Sequence, residues 1–228
     1  NPQLEVADLK MLSSIAKEAG VPLIADTTIV PFSVFHGKDF GIDIEIVSST
    51  KYISGGATSI GGLILDNGTF DWSHFITLKH WYEQFGERAF TARLRKEIHR
   101  NLGAYMQTLG LETMPLRFER QGATCLELAG RLQTLEGIVS VNYIGLKDNP
   151  YYKLSTVQFG KYPGAMLTFD LPSREACFAF MNRLQLIRRA TNLFDNKTLA
   201  IHPASTIYGS FTEMQRQEMD ISQQTIRL

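Results

Sequence analysis

Apolar residues recur at helical spacing near the start of the chain. They fall three or four positions apart between Leu9 and Ala16, with Asp8 before them and Gly20 after them. A capping residue at each end of such a pattern predicts an amphipathic helix.

Three short apolar runs follow that predicted helix. They are VPLIAD (21–26), GIDIEIVSST (41–50) and GGLILDNG (61–68), and each is bounded by glycine, proline or polar residues. Runs of this length and composition predict buried strands. A helix followed by such strands is typical of a layered α/β domain, in which functional groups collect where the strands end.

The second half of the chain begins with a long helical pattern. It covers residues 90–137, with Pro115 as the expected kink or break. A strand, a loop, the strand AMLTFDL (165–171) and the helix SREACFAFMNRL (173–184) then follow. We therefore expect the second half of the chain to form a smaller α/β domain.

Composition narrows the classes of partner. The 228 residues include 23 basic and 23 acidic side chains, so no strong field favours nucleic acid or an anionic membrane. No apolar run approaches the ~20 residues that span a bilayer. Only Cys125 and Cys177 are present, which favours a reduced, cytoplasmic setting. The histidines show no metal-ligand spacing, so we predict no metal site.

Lys51 is the candidate for chemistry. It follows three hydroxyl residues (48–50) and precedes the glycine pair 55–56. A solvated loop lysine would be the ordinary interpretation of such a residue. Hydroxyl donors and closely approaching backbone, however, suit a phosphorylated cofactor, and a partly buried amine has the lowered pKa that Schiff-base chemistry needs.

Asp26 supplies the second group that this chemistry requires. Pyridoxal phosphate withdraws electrons well only when its ring nitrogen is protonated, and a carboxylate facing that nitrogen keeps the proton there. Asp26 ends the first predicted strand, and Lys51 follows the second. Both are expected at the same edge of one sheet.

Several motifs in a fixed order resemble one known family. They are IADTTIVPF (24–32), SSTKYISGG (48–56), GGLILDNGTFDW (61–72), LGLETMPLR (109–117), NLFDNKTLAIHPASTIY (192–208) and TIRL (225–228). Together they resemble the Cys/Met-metabolism family of fold-type I pyridoxal-phosphate enzymes, and within it most of all the O-acetylhomoserine sulfhydrylases. The resemblance implies an α/β fold: residues 1–100 would be the C-terminal part of the cofactor-binding large domain and residues 101–228 a smaller C-terminal α/β domain, both incomplete.

The resemblance also implies roles for the cofactor-binding residues. Lys51 would form the Schiff base and then move protons, and Asp26 would hold the pyridinium proton. Ser48 and Thr50 would contact the phosphate, with Ser49 facing elsewhere. Asn1 would hydrogen-bond the phenolic oxygen of pyridoxal 5'-phosphate.

Two further residues match the family's substrate site. Arg227 would grip the α-carboxylate of an amino-acid substrate, and Asn192 would assist at the same carboxylate. A planar guanidinium suits such a bidentate pair. The family's Asp-Asn-Thr reads Asp26-Thr27-Thr28 here, so the resemblance assigns Thr27 no role.

The implied activity is replacement of the acetyl group of O-acetylhomoserine by sulfide or a thiol. A lyase of the methionine γ-lyase or cystathionine γ-synthase/lyase type would use the same cofactor residues and remains the alternative. The family also implies dimers that pair into tetramers, and further family elements outside this chain. For the chain in isolation, a non-catalytic interaction domain is a third possibility, favoured by the aromatic run 70–90.

Overall fold

The computed structural model describes residues 3–72, 83–84 and 102–228, with side chains of the helix that begins at Leu102 described from residue 105 onward. Asn1, most of the aromatic run 70–90 and the expected domain boundary at residue 100 therefore lie outside the described residues. The roles and the boundary predicted for them stay predictions.

Helix α1 (Leu9–Ala19) has the predicted caps. The Asp8 side chain accepts a hydrogen bond from the Met11 amide at 3.0 Å, and Gly20 closes the helix in the left-handed region with φ +65°. These contacts satisfy backbone groups that the first and last turns leave unpaired.

The first sheet contains β1 (Ile24–Asp26), β2 (Ile44–Ser48) and β3 (Gly62–Asp66) in that order. Strands β1 and β2 are parallel, with Asp26 opposite Ile46, whereas β3 is antiparallel to β2. The carboxyl ends of β1 and β2 therefore lie at one edge of the sheet. The turn that carries Lys51 starts from that edge.

Helix α2 (Leu102–Leu132) runs straight through Pro115 as one helical element. Of the expected kink or break, the break is therefore wrong, and the kink stays a prediction. Met114 and Phe118 are buried beside the proline. This packing offsets the single backbone bond that a proline removes.

The remaining elements form the C-terminal half. They are β4 (Ser140–Asn142), α3 (Tyr152–Phe159), β5 (Thr168–Asp170), α4 (Arg174–Arg183), β6 (Arg188–Arg189), β7 (Leu199–Ala200), α5 (Glu213–Glu218) and β8 (Thr225–Arg227). Strand β5 pairs antiparallel with both β4 and β8. Strands β6 and β7 form a separate parallel pair.

Two hydrophobic cores hold these elements, and α2 contributes to both. The N-terminal core comprises Val30, Phe35, Ile42, Val47, Tyr52, Ile53, Met114, Phe118, Met166 and Phe194. The C-terminal core comprises Cys125, Ala129, Leu132, Tyr143, Leu146, Leu167, Phe169, Leu171, Cys177, Met181 and Ile226. Because residues from both halves share the N-terminal core, the two halves pack as neighbours around α2. Within the described ranges, no helix has the length and apolar character needed to span a membrane.

Candidate active site

Lys51 lies in a compact turn directly after β2. Its backbone amide donates to the Ser48 carbonyl at 3.2 Å, and its carbonyl accepts from the Gly55 amide at 3.2 Å. The Ser54 amide donates to Ser49 O at 2.9 Å. These local bonds fix the turn, which we call the lysine turn (residues 48–56). The Lys51 side chain therefore starts from a fixed backbone position.

The Lys51 amine reaches the C-terminal half of the molecule. Its Nζ donates a hydrogen bond to Asn192 Oδ1 at 2.8 Å. Burial and, to a smaller extent, the positive charge of Arg227 lower the pKa of Lys51 below its ordinary value of 10.5. The structure thus brings Lys51 together with Asn192 and Arg227, and the lowered pKa increases the fraction of free amine near neutral pH.

Asp195 orients Asn192. The Asn192 Nδ2 group donates to Asp195 Oδ2 at 3.0 Å, and a carboxylate can only accept such a bond. The amide oxygen of Asn192 must therefore face Lys51. The sequence patterns assigned Asp195 no role, although it lies inside the NLFDNKTL motif, three positions after the candidate residue Asn192.

Arg227 is a buried cation on β8. Its side chain is 4% exposed, and its Nη2 group donates to the carbonyls of Thr191 at 3.1 Å and Asn192 at 3.4 Å. Burial lowers the pKa of Arg227 to about 10, so the guanidinium remains charged at neutral pH. It is therefore a fixed positive charge beside Asn192, the residue to which the Lys51 amine donates.

Asp26 ends β1 with an exposed side chain. Its Oδ1 accepts from the Thr28 amide at 3.0 Å, and Thr28 Oγ1 in turn accepts from the Ser48 amide at 2.8 Å. Two short contacts thus tie the end of β1 to the start of the lysine turn. Asp26 also lines a cavity of about 220 Å³ together with Phe194, which lies on the Asn192 segment.

The three hydroxyl residues before Lys51 have different environments. Thr50 Oγ1 donates to the Gly61 carbonyl at 3.3 Å and accepts from the Gly61 amide at 3.1 Å. Ser49 is fully buried, and its hydroxyl has no hydrogen-bond partner among the described residues. Ser48 is half-buried. An anion that takes a hydrogen bond from Thr50 would have to compete with Gly61.

Helix α2 braces the lysine turn, which the sequence did not reveal. Arg117 Nη2 donates to the Tyr52 carbonyl at 2.7 Å, and Arg117 covers Gly55, whose φ of +71° and lack of a Cβ permit this approach. A Cβ at Gly110 would lie 1.9 Å from the Ile53 carbonyl oxygen. The LGLETMPLR motif thus contains a close helix–turn contact as well as a helical pattern.

These features fit a phosphorylated aldehyde cofactor. The half-buried Lys51 amine has a lowered pKa, and the exposed carboxylate of Asp26 lies at the edge of the sheet where the lysine turn starts. Two half-buried hydroxyl residues, Ser48 and Thr50, lie in the same turn. Pyridoxal 5'-phosphate has an aldehyde, a ring nitrogen and a phosphate for these groups. Among the described residues, no group of three or more His, Cys, Asp or Glu side chains has an arrangement that could hold a metal ion.

Comparison with known proteins points to the same chemistry. Residues 1–228 match the family described as Cys/Met metabolism PLP-dependent enzyme. The O-acetyl-L-homoserine sulfhydrylase of Corynebacterium glutamicum is 30% identical over 253 residues; the match covers 100% of this chain and 57% of that relative. This chain therefore spans little more than half of that relative's length.

Solved structures agree in fold. The O-acetylhomoserine sulfhydrylase of Wolinella succinogenes superposes with a TM-score of 0.82 at 43% identity, covering 100% of this chain and 64% of that one. A putative O-acetylhomoserine (thiol)-lyase from Campylobacter jejuni, solved with a pyridoxyl-lysine phosphate, has a TM-score of 0.84 at 29% identity and covers 100% of this chain and 59% of that one. The predicted fold class, the C-terminal part of a fold-type I α/β enzyme, is confirmed.

Proposed function

Because this chain belongs to the Cys/Met-metabolism family of PLP-dependent enzymes, we propose that the intact protein replaces the acetyl group of O-acetylhomoserine by sulfide or a thiol. Sulfide gives homocysteine and methanethiol gives methionine, with acetate as the leaving group. One observation carries the proposal: the Lys51 amine bonds Asn192 at 2.8 Å, on the segment whose carbonyls anchor Arg227.

Lys51 is the group that binds the cofactor's aldehyde carbon and moves protons. Bound pyridoxal 5'-phosphate supplies the electron sink that makes protons at the substrate's Cα and Cβ removable. A lysine accepts those protons only as a free amine, which burial and Arg227 favour by lowering its pKa. The contact with Asn192 holds the amine at one position between the two halves.

Arg227 and Asn192 bind the substrate. The guanidinium is buried and charged, and a buried charge attracts a carboxylate more strongly than an exposed one. Its anchoring to Thr191 and Asn192 fixes the direction from which an α-carboxylate approaches.

The remaining cofactor contacts extend the proposal. Asp26 keeps the ring nitrogen protonated, since its exposed carboxylate lies at the edge of the sheet from which the lysine turn starts. Ser48 and Thr50 bind the phosphate, with Thr50 exchanging its bond to Gly61 for one to the phosphate. Asn1 binds the phenolic oxygen, a role that rests on the resemblance alone.

The setting of the intact protein is also a proposal. We infer a cytoplasmic enzyme that assembles as a homodimer or homotetramer. The balanced charge and two cysteines favour the cytoplasm, and the sulfhydrylase similarity supports the enzyme class.

Substrate competition separates this function from its alternatives. The intact protein is assayed with O-acetylhomoserine plus sulfide, with cystathionine and with methionine, beside a Lys51→Ala variant. We expect homocysteine from O-acetylhomoserine and none from the variant. Faster cleavage of cystathionine or methionine would assign a lyase instead. A Lys51→Ala variant with full activity would refute the role of Lys51, and wild-type protein with none of these activities would favour a non-catalytic domain.

A further inference from the structure

A stacked aromatic pair lies beside the Lys51–Asn192 contact. The rings of Tyr52 and Phe194 have centroids 4.4 Å apart and planes within 13° of parallel. Tyr52 directly follows Lys51, and Phe194 lies two positions after Asn192. The stack therefore joins the same two segments as the hydrogen bond does.

Phe194 adopts an unusual backbone conformation to make this contact. Its φ is +53°, in the left-handed region that residues other than glycine seldom occupy. Its side chain is nonetheless only 7% exposed. Such strain persists only where the surroundings enforce it, and it concentrates at functional sites.

Helix α2 also contacts Tyr52. Its ring meets Phe118 edge-on, with centroids 5.3 Å apart, and its carbonyl accepts the bond from Arg117. Phe118 and Phe194 thus contact the same ring from two different parts of the chain. Only Phe194 lies on the segment that carries Asn192.

We propose that Phe194 is a positioning residue, whose stacking on Tyr52 holds Asn192 within hydrogen-bonding distance of the Lys51 amine. The inference rests on the proposed function in one respect, that Lys51 is the amine that binds the cofactor. Phe194 acts through Asn192 and does not itself react. Without its ring, the 191–197 segment loses its packing against the lysine turn and Asn192 loses its fixed position.

The charged neighbours of Lys51 do not hold its amine in place. Arg227 faces the amine from β8 and repels its protonated form. Asp195 is connected to it through Asn192. A repulsive neighbour cannot hold the amine in place, so the uncharged contacts of Asn192 and the stack must do so.

The test compares two truncations of rings that touch Tyr52. Phe194→Leu removes the stack, Phe118→Leu removes the edge-on contact and serves as the matched control, and Phe194→Tyr restores a ring. The intact protein, freed of cofactor, is mixed with pyridoxal 5'-phosphate and reduced with borohydride. Peptide mass spectrometry then measures the trapping rate at Lys51 relative to the exposed Lys153.

We expect trapping at Lys51 to slow on the order of tenfold in Phe194→Leu. It should stay within about twofold of wild type in Phe118→Leu and recover in Phe194→Tyr. In an Asn192→Ala background, Phe194→Leu should cause no further loss, because the two residues act in series. Equal loss in both leucine variants, or a full further loss in the Asn192→Ala background, would overturn the positioning role.

Hydrogen exchange of the cofactor-free protein decides the same point without the cofactor. Phe194→Leu should speed exchange in residues 191–197 about tenfold, and Phe118→Leu should leave that segment unchanged. Unchanged exchange there in Phe194→Leu overturns the inference. Wild-type protein that is never trapped at Lys51 refutes the proposed function instead, while the exchange result still decides what Phe194 does.

Discussion

Lys51 and Asn192 are 141 positions apart in the chain, yet the Lys51 Nζ donates to Asn192 Oδ1 at 2.8 Å. Asp195 fixes the direction of that bond by accepting from the other end of the same amide. The amine is therefore held by a neutral acceptor in a half-buried site, next to the cation Arg227.

Replacing that neutral acceptor by a charge should slow cofactor binding. In Asn192→Asp a carboxylate faces the amine, stabilises its protonated form and raises the pKa of Lys51. Less free amine is then available near neutral pH, and trapping of pyridoxal 5'-phosphate at Lys51 should fall on the order of tenfold. Because the cause is protonation, the loss should shrink as the pH of the trapping assay rises. Asn196→Asp adds the same charge on the neighbouring exposed loop and should change little; an equal loss there would contradict the role of Asn192.

Arg227 should control the affinity for substrate. Removing a charged donor to a carboxylate costs about 1.5–3 kcal/mol, so Arg227→Gln should raise KM for O-acetylhomoserine on the order of tenfold to a hundredfold. Arg227→Lys keeps the charge but not the planar fork, so its KM should lie between those of wild type and Arg227→Gln. Steady-state kinetics measure both, with the exposed Arg189→Gln as control. An unchanged KM in Arg227→Gln would argue against carboxylate binding.

Asp26 should have separable structural and chemical effects. Asp26→Asn keeps the Oδ1 acceptor of the Thr28 amide but loses the charge, whereas Asp26→Ala loses both. We expect both variants to lose cofactor affinity and activity, and only the alanine variant to lose stability, by about 0.5–1 kcal/mol. Urea unfolding and cofactor titration measure the two effects. An Asp26→Asn variant with wild-type cofactor affinity would remove Asp26 from the site.

Two glycines of α2 test the contact between this helix and the lysine turn. Gly110→Ala would place a Cβ 1.9 Å from the Ile53 carbonyl oxygen, whereas a Cβ at Gly130 meets no atom within 4 Å. Overpacking should destabilise Gly110→Ala by about 1–3 kcal/mol and reduce trapping at Lys51. Gly130→Ala should gain about 0.5–1 kcal/mol from helix propensity and leave trapping unchanged. Equal unfolding midpoints for the two variants would contradict the close contact.

Local patterns predicted much of the fold. The caps of α1 and the three strands of the first sheet follow from spacing and from glycine, because nearby residues determine them. Pro115 was the exception. Its effect depends on the packing of the buried Met114 and Phe118 around it, and periodicity does not report such contacts.

The candidate site was predictable only in part. Lys51, Asp26 and Arg227 were singled out by chemistry and by motif. The bond of Lys51 to Asn192 and the stack of Tyr52 on Phe194 depend on two distant segments meeting, which no local pattern encodes. The role of Asp195 follows from that meeting, because Asp195 orients Asn192. The left-handed backbone of Phe194 is equally hidden, since phenylalanine gives no signal for positive φ.

Peptide mass spectrometry of the intact protein, purified from its cells and reduced at once with borohydride, tests the central claim most directly. We predict that the peptide containing residues 46–56 carries a pyridoxyl phosphate on Lys51, and that a Lys51→Arg variant carries none on that peptide. A pyridoxyl phosphate on a different lysine, with residues 46–56 unmodified, would contradict the account.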